Sequence, residues 1–325
     1  MSTASLPSID TSKRFDARSF LQRFGLLFVF LLLYLALSLL SDRFNQVSNL
    51  VNILRQASII GIISIGMTLV ILTAGIDLSV GSMLALSAVV GADLMKSRQP
   101  VVLAVGMALL VGALLGVING VIITRGRIPP FIATLGMLTV ARGLTLMYTQ
   151  GQPITGLPKE FRFIGAGTIG PLPMPIVIFA LACMVIYILL TRTRLGEYIY
   201  LLGGNRTAAR LVGIPIYRIT VLVYALSGFF SALAGLVLIA RLDSAQPVIG
   251  IGYEFSAIAA VVVGGTSFAG GEGSLLGTIL GALLIETLNN GLNLLNVSSL
   301  WEQVIKGIVI ALALLFYNML KRDAK

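Results

Sequence analysis

Charged and amide side chains interrupt several long apolar segments of this sequence. They are the residues best suited to a chemical or binding role. Such groups are costly in hydrocarbon unless they face a partner or water, so they are candidates for lining a translocation pathway. Asp77 lies between glycines in residues 75–81, which predicts a broken helix, and Arg142 of opposite charge is a candidate partner for it. Helix capping and cross-linking of a bundle are the alternative use of these groups. The full set of pathway candidates is Asp77, Asn119, Arg142, Glu254, Asn290 and Asn293.

The same sequence offers little to an enzyme. It contains no histidine, which removes the commonest general base and metal ligand. No glycine precedes a lysine, so a phosphate-binding loop of the Walker type is absent. The closest approach to a nucleophile elbow, at 265–269, lacks its closing glycine, and the carboxylates are scattered singly. We therefore expect a non-catalytic chain without a cofactor or metal of its own.

Composition places these residues in a membrane. Of 325 residues, 57% are hydrophobic and only 11% are charged, with a mean hydropathy of +0.98. Soluble domains carry about 25% charged residues. The single cysteine, Cys183, excludes a disulfide scaffold. The net charge of +10 is not gathered into a basic stripe, so it indicates membrane topology rather than nucleic-acid binding.

Ten apolar stretches predict an all-α integral membrane protein with about ten spans. Fourteen of the 23 lysines and arginines fall in the segments that would be cytoplasmic if both termini are inside. The predicted organisation is a cytoplasmic tail at 1–23, a membrane domain at 24–320 and a cytoplasmic tail at 321–325. The stretches are 24–40, 59–74, 80–94, 101–123, 130–147, 173–190, 219–240, 255–268, 275–295 and 304–320.

Matched features suggest an internal repeat. Glycines at 112, 116 and 120 form a GxxxGxxxG run, and those at 273, 277 and 281 form another. A basic residue followed by glycine occurs in the next span each time, and an acidic turn precedes each run. Five spans separate the two sets, which predicts inverted units at about 51–149 and 217–320 with a pathway at their interface. Chance pairing in a chain with 35 glycines is the alternative.

Two connections are long enough to have roles of their own. Residues 151–175 are rich in glycine and proline, which predicts an irregular extracytoplasmic loop. Residues 191–218 carry five arginines on the predicted cytoplasmic side. A short surface helix is expected there, bounded by the glycine pair at 203–204 and by Gly213 with Pro215.

This cytoplasmic segment resembles the EAA loop of ABC importer permeases, where Glu-Ala-Ala is followed after three residues by glycine. Ala208, Ala209 and Gly213 keep that spacing, while Thr207 replaces the glutamate. The resemblance implies that Arg206, Thr207, Ala208, Ala209 and Gly213 couple the chain to an ATPase. Further segments are similar to the ribose-type sugar permeases, namely residues 66–81, 240–247, 252–254, 263–271 and 288–295.

The resemblance runs from about residue 49 to 317, and it implies a type II importer permease fold. It further implies a homodimer in a bacterial cytoplasmic membrane, a partner ATPase that binds ATP and Mg, and an extracytoplasmic sugar-binding protein. Arg98, Lys159 and Arg162 on the predicted outer side are candidates for contacting that binding protein. Ribose is the first expected cargo. An autonomous ion-coupled or facilitative carrier, or a permease for a branched-chain amino acid or autoinducer, remains the alternative.

Overall fold

The computed structural model describes residues 17–298, together with residues 301, 304, 305, 307 and 308, and it is built almost entirely of helices. Side-chain surroundings are described from residue 25 onward. The helices are α1 (Ala17–Leu40), α2 (Val47–Leu72), α3 (Val80–Lys96), α4 (Val101–Thr124), α5 (Pro130–Thr149), α6 (Lys159–Ala166), α7 (Met174–Arg192), α8 (Arg194–Gly204), α9 (Arg206–Leu211), α10 (Ile216–Leu242), α11 (Tyr253–Val263) and α12 (Leu275–Leu294). The strands β1 (Ile154–Thr155), β2 (Thr168–Ile169), β3 (Leu172–Pro173) and β4 (Ser244–Ala245) have two residues each.

Six of the described helices are long and apolar enough to cross a membrane, namely α2, α4, α5, α7, α10 and α12. The apolar part of α1, Gly25–Leu40, and helix α11 are shorter apolar segments. The predicted last span, 304–320, falls almost wholly outside the described residues. The all-α membrane architecture is therefore confirmed, while the count of ten spans stays a prediction.

Prolines set the starting points of five of the described helices. Pro100, Pro129, Pro158, Pro173 and Pro215 each occupy the residue just before a helix. A proline there loses nothing, because the first N–H groups of a helix have no intrahelical acceptor. The start of each of these helices is therefore marked by a residue in the local sequence.

Helices α2 and α10 form the centre of the bundle and are mostly buried. Helices α3 and α4 pack on α10, while α11 and α12 pack on α2. Helices α4, α5 and α7 expose most of their apolar side chains, as helices that face lipid do. The core is consequently a pair of contacting helices, each covered by helices from the other half of the chain.

The first glycine run allows α4 and α10 to touch through their backbones. A Cβ added at Gly116 would lie 2.1 Å from the carbonyl oxygen of Tyr224, and one at Gly228 would lie 2.0 Å from the carbonyl oxygen of Gly112. Small residues permit such close approach in lipid, where helix packing depends on van der Waals contact.

The second run serves a different contact. Gly277 and Gly281 press against the carbonyls of Gly264 and Ala260 at the end of α11. Gly273 is not on the helix, because Ser274 caps α12 through its side chain and α12 begins at Leu275. The prediction that three matched glycines share one helix is therefore wrong for Gly273.

Two further expectations need correction. The predicted loop at 151–175 contains α6, whose Phe161 is buried on the face that packs against α10, and its β1 pairs with β4. The predicted span at 59–74 begins earlier, at Val47. The polar residues in its first turns, such as Asn49 and Asn52, have partners inside the protein, which hydropathy cannot reveal.

We predict that Gly116→Leu separates α4 from α10 and lowers the melting temperature of the purified protein in detergent. Overpacking of this kind costs about 1–3 kcal/mol or more. Gly106→Leu on the same helix is the matched control, because nothing lies within 4 Å of its Cβ position. Size-exclusion chromatography after stepwise heating would measure both variants, and equal melting temperatures would contradict the close contact.

Candidate coupling and translocation sites

The predicted coupling segment folds as two short helices joined by one residue. Helix α8 begins at Arg194, where the Thr193 side chain accepts from the Gly196 N–H. Asn205 ends α8 and caps α9, and its Oδ1 accepts from the Ala208 N–H at 2.9 Å. Polar side chains are favoured at this position because they satisfy an N–H that the helix leaves free. The expected surface helix is therefore present at Arg206–Leu211, with α8 preceding it.

Gly213 ends α9 with a left-handed turn. Its φ is +78°, the Gly213 N–H bonds to the carbonyl of Arg210, and the Ile214 N–H bonds to the carbonyl of Ala209. These two hydrogen bonds form a Schellman motif, in which a glycine avoids the strain that a Cβ would bring. The spacing between the alanines and Gly213 is thus explained by the length of the helix.

The residues expected to contact an ATPase do not all face outward. Arg206, Thr207 and Ala208 are exposed, whereas Ala209 is only 2% exposed and faces the protein. Beside α9 lies a concave site of about 310 Å³ lined by Thr124, Arg206, Arg210, Ile214, Ile216 and Tyr217. The outer surface of α9 and this basic depression form one accessible patch.

A junction of glycine backbones connects α8 to the end of α2. Gly203 leaves no room for a Cβ, which would lie 1.8 Å from the Leu72 carbonyl oxygen. The same oxygen accepts from the Gly271 N–H at 2.9 Å, and Gly270 packs against Ala74. We call Leu72, Gly203, Gly270 and Gly271 the glycine junction. Residues 263–271 stand out in the sequence only through their resemblance to sugar permeases, and the paired glycines at 203–204 and 270–271 are the signal that points to this junction.

Tyr200 adds a side-chain link between α8 and the segment before α12. Its hydroxyl donates to the Gly273 carbonyl oxygen at 3.1 Å. Partial burial raises the pKa of this phenol above its ordinary value, which keeps the donor proton in place. The surface segment is therefore bound to the 264–274 connection as well as to α2.

Asp77 anchors the irregular turn between α2 and α3. Its Oδ1 accepts from the N–H and hydroxyl of Ser79, and its Oδ2 accepts from the Ser227 hydroxyl at 2.8 Å. Asn119 donates to the Ser79 hydroxyl at 2.9 Å. The carboxylate is fully buried. Asp77 thereby joins the turn to α4 and α10, as the predicted break in the helix requires.

This turn lies deep in the bundle. Ser227 is eleven residues after Ile216, the first residue of α10. At 1.5 Å per residue that is about 17 Å along the helix axis. The turn carrying Asp77 therefore reaches the middle of α10.

The opposite charges of Arg142 and Asp77 suggested a pair, but the structure gives Arg142 other partners. Its guanidinium donates to the carbonyl oxygens of Pro247, Ile249 and Gly81, the second at 3.0 Å. Glu254, only 7% exposed, interacts with it electrostatically and accepts from the Gly252 N–H. Arg142 therefore satisfies the non-helical backbone between α10 and α11, which has no helical hydrogen bonds of its own.

The two asparagine candidates on α12 have different surroundings. Asn290 forms a reciprocal amide pair with Asn49 of α2, with N–O distances of 2.8 and 3.0 Å. Asn293 is exposed and donates to the Asn289 carbonyl oxygen at 2.9 Å. The pathway candidates thus fall into three places: Asp77 with Asn119, Arg142 with Glu254, and the C-terminal half of α12.

One predicted contact residue for a binding protein has an internal partner. Arg162 of α6 forms an ion pair with Asp243 at 3.3 Å, and Asp243 also accepts from the Leu157 N–H. Both side chains of the ion pair remain partly exposed. Arg162 therefore helps to hold the 151–173 connection against the end of α10.

We predict that Asp77→Leu lowers the amount of folded protein, because it leaves Ser79 and Ser227 without their buried acceptor. Each lost partner of this kind costs about 1–3 kcal/mol. Asp77→Asn keeps an acceptor oxygen and is the matched control, expected to fold close to the wild-type level. Monodisperse yield after detergent extraction measures both, and equal yields would contradict the anchoring role. Transport per folded Asp77→Asn molecule then tests whether the charge itself is used.

Comparison with known proteins agrees with this architecture. Residues 49–314 match the family described as branched-chain amino acid transport system / permease component. The ribose import permease protein RbsC of Escherichia coli K12 is 46% identical over 95% of this chain and 97% of its own length. The corresponding protein of Bacillus subtilis 168 is 48% identical over 93% and 95%, and the D-allose permease AlsC of Escherichia coli K12 is 38% identical over 93% and 94%. No solved structure matches the chain. The chain belongs to the branched-chain amino acid and sugar permease family of ABC transporters.

Proposed function

We propose that this chain is the membrane-spanning permease subunit of an ABC importer for a monosaccharide, with ribose as its first cargo. Its relatives are ribose import permeases at 46–48% identity over nearly the whole chain. The observation that carries the proposal is the exposed helix α9, which the glycine junction links to the buried turn of Asp77. Such a link suits a chain that receives movement from a partner outside the membrane.

The proposed complex contains two copies of this chain, an ATPase and an extracytoplasmic sugar-binding protein. The chain itself is non-catalytic, and ATP and Mg are bound by the partner. It lies in the bacterial cytoplasmic membrane with both termini in the cytoplasm. The distribution of lysine and arginine supports this orientation, because positive residues collect in cytoplasmic segments.

Movement of two inverted units against each other is the proposed transport step. The packing supports such units, because each central helix is covered by helices from the other half of the chain: α3 and α4 pack on α10, while α11 and α12 pack on α2. ATP binding would close the partner, α9 would pass the displacement on, and the pathway would open alternately to each side. Asp77, Asn119, Arg142, Glu254, Asn290 and Asn293 remain the proposed polar residues near this pathway.

Reconstitution in liposomes tests the function. The purified chain, its partner ATPase and binding protein should accumulate radiolabelled ribose only when ATP is present at the ATPase. Equal ribose uptake by the chain alone, without ATP, would show an autonomous carrier instead. ATP-dependent uptake of a branched-chain amino acid without uptake of ribose would retain the importer and overturn the sugar.

A substitution on α9 tests the coupling surface. Ala208→Trp is expected to abolish capture of the ATPase, because it places a bulky ring on an exposed docking face without disturbing the core. Gln99→Trp, at an exposed position between α3 and α4, is the control and should capture the ATPase normally. Pull-down of the ATPase from mild detergent measures both. Normal capture by Ala208→Trp would exclude α9 from the docking surface.

A further inference from the structure

The basic depression beside α9 lies where α4 ends and α10 begins. Its volume is about 310 Å³, and the ends of these two apolar helices contribute Thr124, Ile216 and Tyr217 to its lining. Helix α9 contributes Arg206 and Arg210, which are the two charged residues of the lining. The depression is therefore positively charged and lies at the level where two candidate membrane spans end.

The stretches of chain that form the depression have no acidic residue to balance these charges. Residues 94–159 and 198–242 contain neither aspartate nor glutamate. Guanidinium groups present a planar fork of N–H donors that matches the oxygens of a phosphate group. The depression therefore favours an anion, with phosphate as the best fit. The exposed arginines near these helix ends are Arg125, Arg127, Arg206, Arg210 and Arg218.

An apolar stripe of α4 leads to the depression. Arg125 follows the last of its side chains by seven residues, which is about two turns along the same face, and its backbone is still helical. The Arg125 guanidinium lies 5.0 Å from the centre of the Tyr217 ring, which lines the depression. A face that suits lipid chains thus ends at a cation beside the depression. The stripe consists of exposed side chains at intervals of three and four residues, namely Leu103, Met107, Leu110, Leu114 and Ile118.

Helix α9 turns different sides to the depression and to the proposed ATPase. Arg206 and Arg210 are four residues apart and so share one face of the helix. Ala208 is two residues from each of them, which corresponds to about 200° of rotation around the helix axis. Its exposed methyl group therefore points away from the two arginines. An anion in the depression leaves the Ala208 side of α9 free for a partner.

We propose that the basic depression binds the headgroup of an anionic phospholipid, whose acyl chains lie along the apolar stripe of α4. Basic pockets between membrane helices bind such headgroups at the cytoplasmic surface. Tyr217 adds an aromatic ring at the level where headgroups meet hydrocarbon. The bound lipid would hold α9 against the ends of α4 and α10 and so set the position of the docking surface. This binding does not depend on the identity of the cargo.

Native mass spectrometry of the purified chain in mild detergent tests the site, because it counts the lipids that stay bound during titration with phosphatidylglycerol. The double variant Arg125→Gln with Arg210→Gln should weaken retention by about thirtyfold, since each arginine contributes about a factor of five near a lipid surface. Arg125→Lys with Arg210→Lys keeps both charges and should retain most of the affinity. Both positions are exposed, and unchanged elution in size-exclusion chromatography checks the fold of each variant.

Arg192→Gln is the matched control. It removes an exposed arginine from the last residue of α7, another apolar helix, at a position that does not line the depression. Its retention of phosphatidylglycerol should equal that of the wild type. Phosphatidylcholine, which has no net charge, should bind weakly to all variants.

Four outcomes would overturn the proposal. Equal retention of phosphatidylglycerol by the wild type and the double Gln variant would exclude the depression as the site. Equal retention of phosphatidylcholine would exclude recognition of negative charge. Displacement of the lipid by millimolar inorganic phosphate would show a site for a free anion, and its displacement by the partner ATPase would assign the arginines to the ATPase contact. Retention that only the double Gln variant loses, in the presence of phosphate and of the ATPase, is the expected result.

Discussion

The structure depends on one requirement, that every backbone N–H and C=O at membrane depth finds a partner inside the protein. Two segments, between α2 and α3 and between α10 and α11, leave the helical pattern and so lose their regular partners. Asp77 meets the first break by accepting hydrogen bonds, and Arg142 meets the second by donating them. Tyr224 and Thr134 both donate to the carbonyl of Ile76, which belongs to the same turn as Asp77. Asp77 and Arg142 thus both act where the backbone is irregular.

Individual residues of these two segments and of α9 show which parts of the site could be predicted from sequence. The glycines at 75 and 81 indicated the broken helix, and Gly213 indicated the end of α9. The start of α9 was expected at the glycine pair 203–204, whereas the structure places it after Asn205, a cap that the sequence analysis did not single out. The suggested pair of Asp77 and Arg142 was wrong, because sequence shows the charges but not the carbonyls that compete for them. Likewise, the alanine pair gave no sign that Ala209 faces inward while Ala208 faces outward. That difference depends on the rotation of a helix of only six residues.

Polar residues in the first turns of α2 show a related limit. Asn49, Asn52 and Gln56 shorten the apparent span of α2 when hydropathy is the only guide. In the folded chain Asn49 bonds to Asn290 and Asn52 accepts from Arg241, while Gln56 lines a small cavity between α2, α10, α11 and α12. These partly buried residues are therefore part of the helix although they are polar. Helix α6 was missed for the opposite reason, since its eight residues are too few to show periodicity beside glycine-rich neighbours. Both the start of α2 and the presence of α6 depend on contacts with other helices, which composition does not reveal.

The glycine junction has a mechanical consequence. Where side chains meet, a push is partly absorbed as they change rotamer, but Gly203, Gly270 and Gly271 have no side chains to rotate. Backbone rests there directly on backbone, and one residue, Asn205, separates the junction's helix from α9. In the proposed coupling, a displacement of α9 would therefore reach the end of α2 with little loss along the way. The turn that carries Asp77 begins just beyond that point, so it would be the first irregular segment that the displacement reaches.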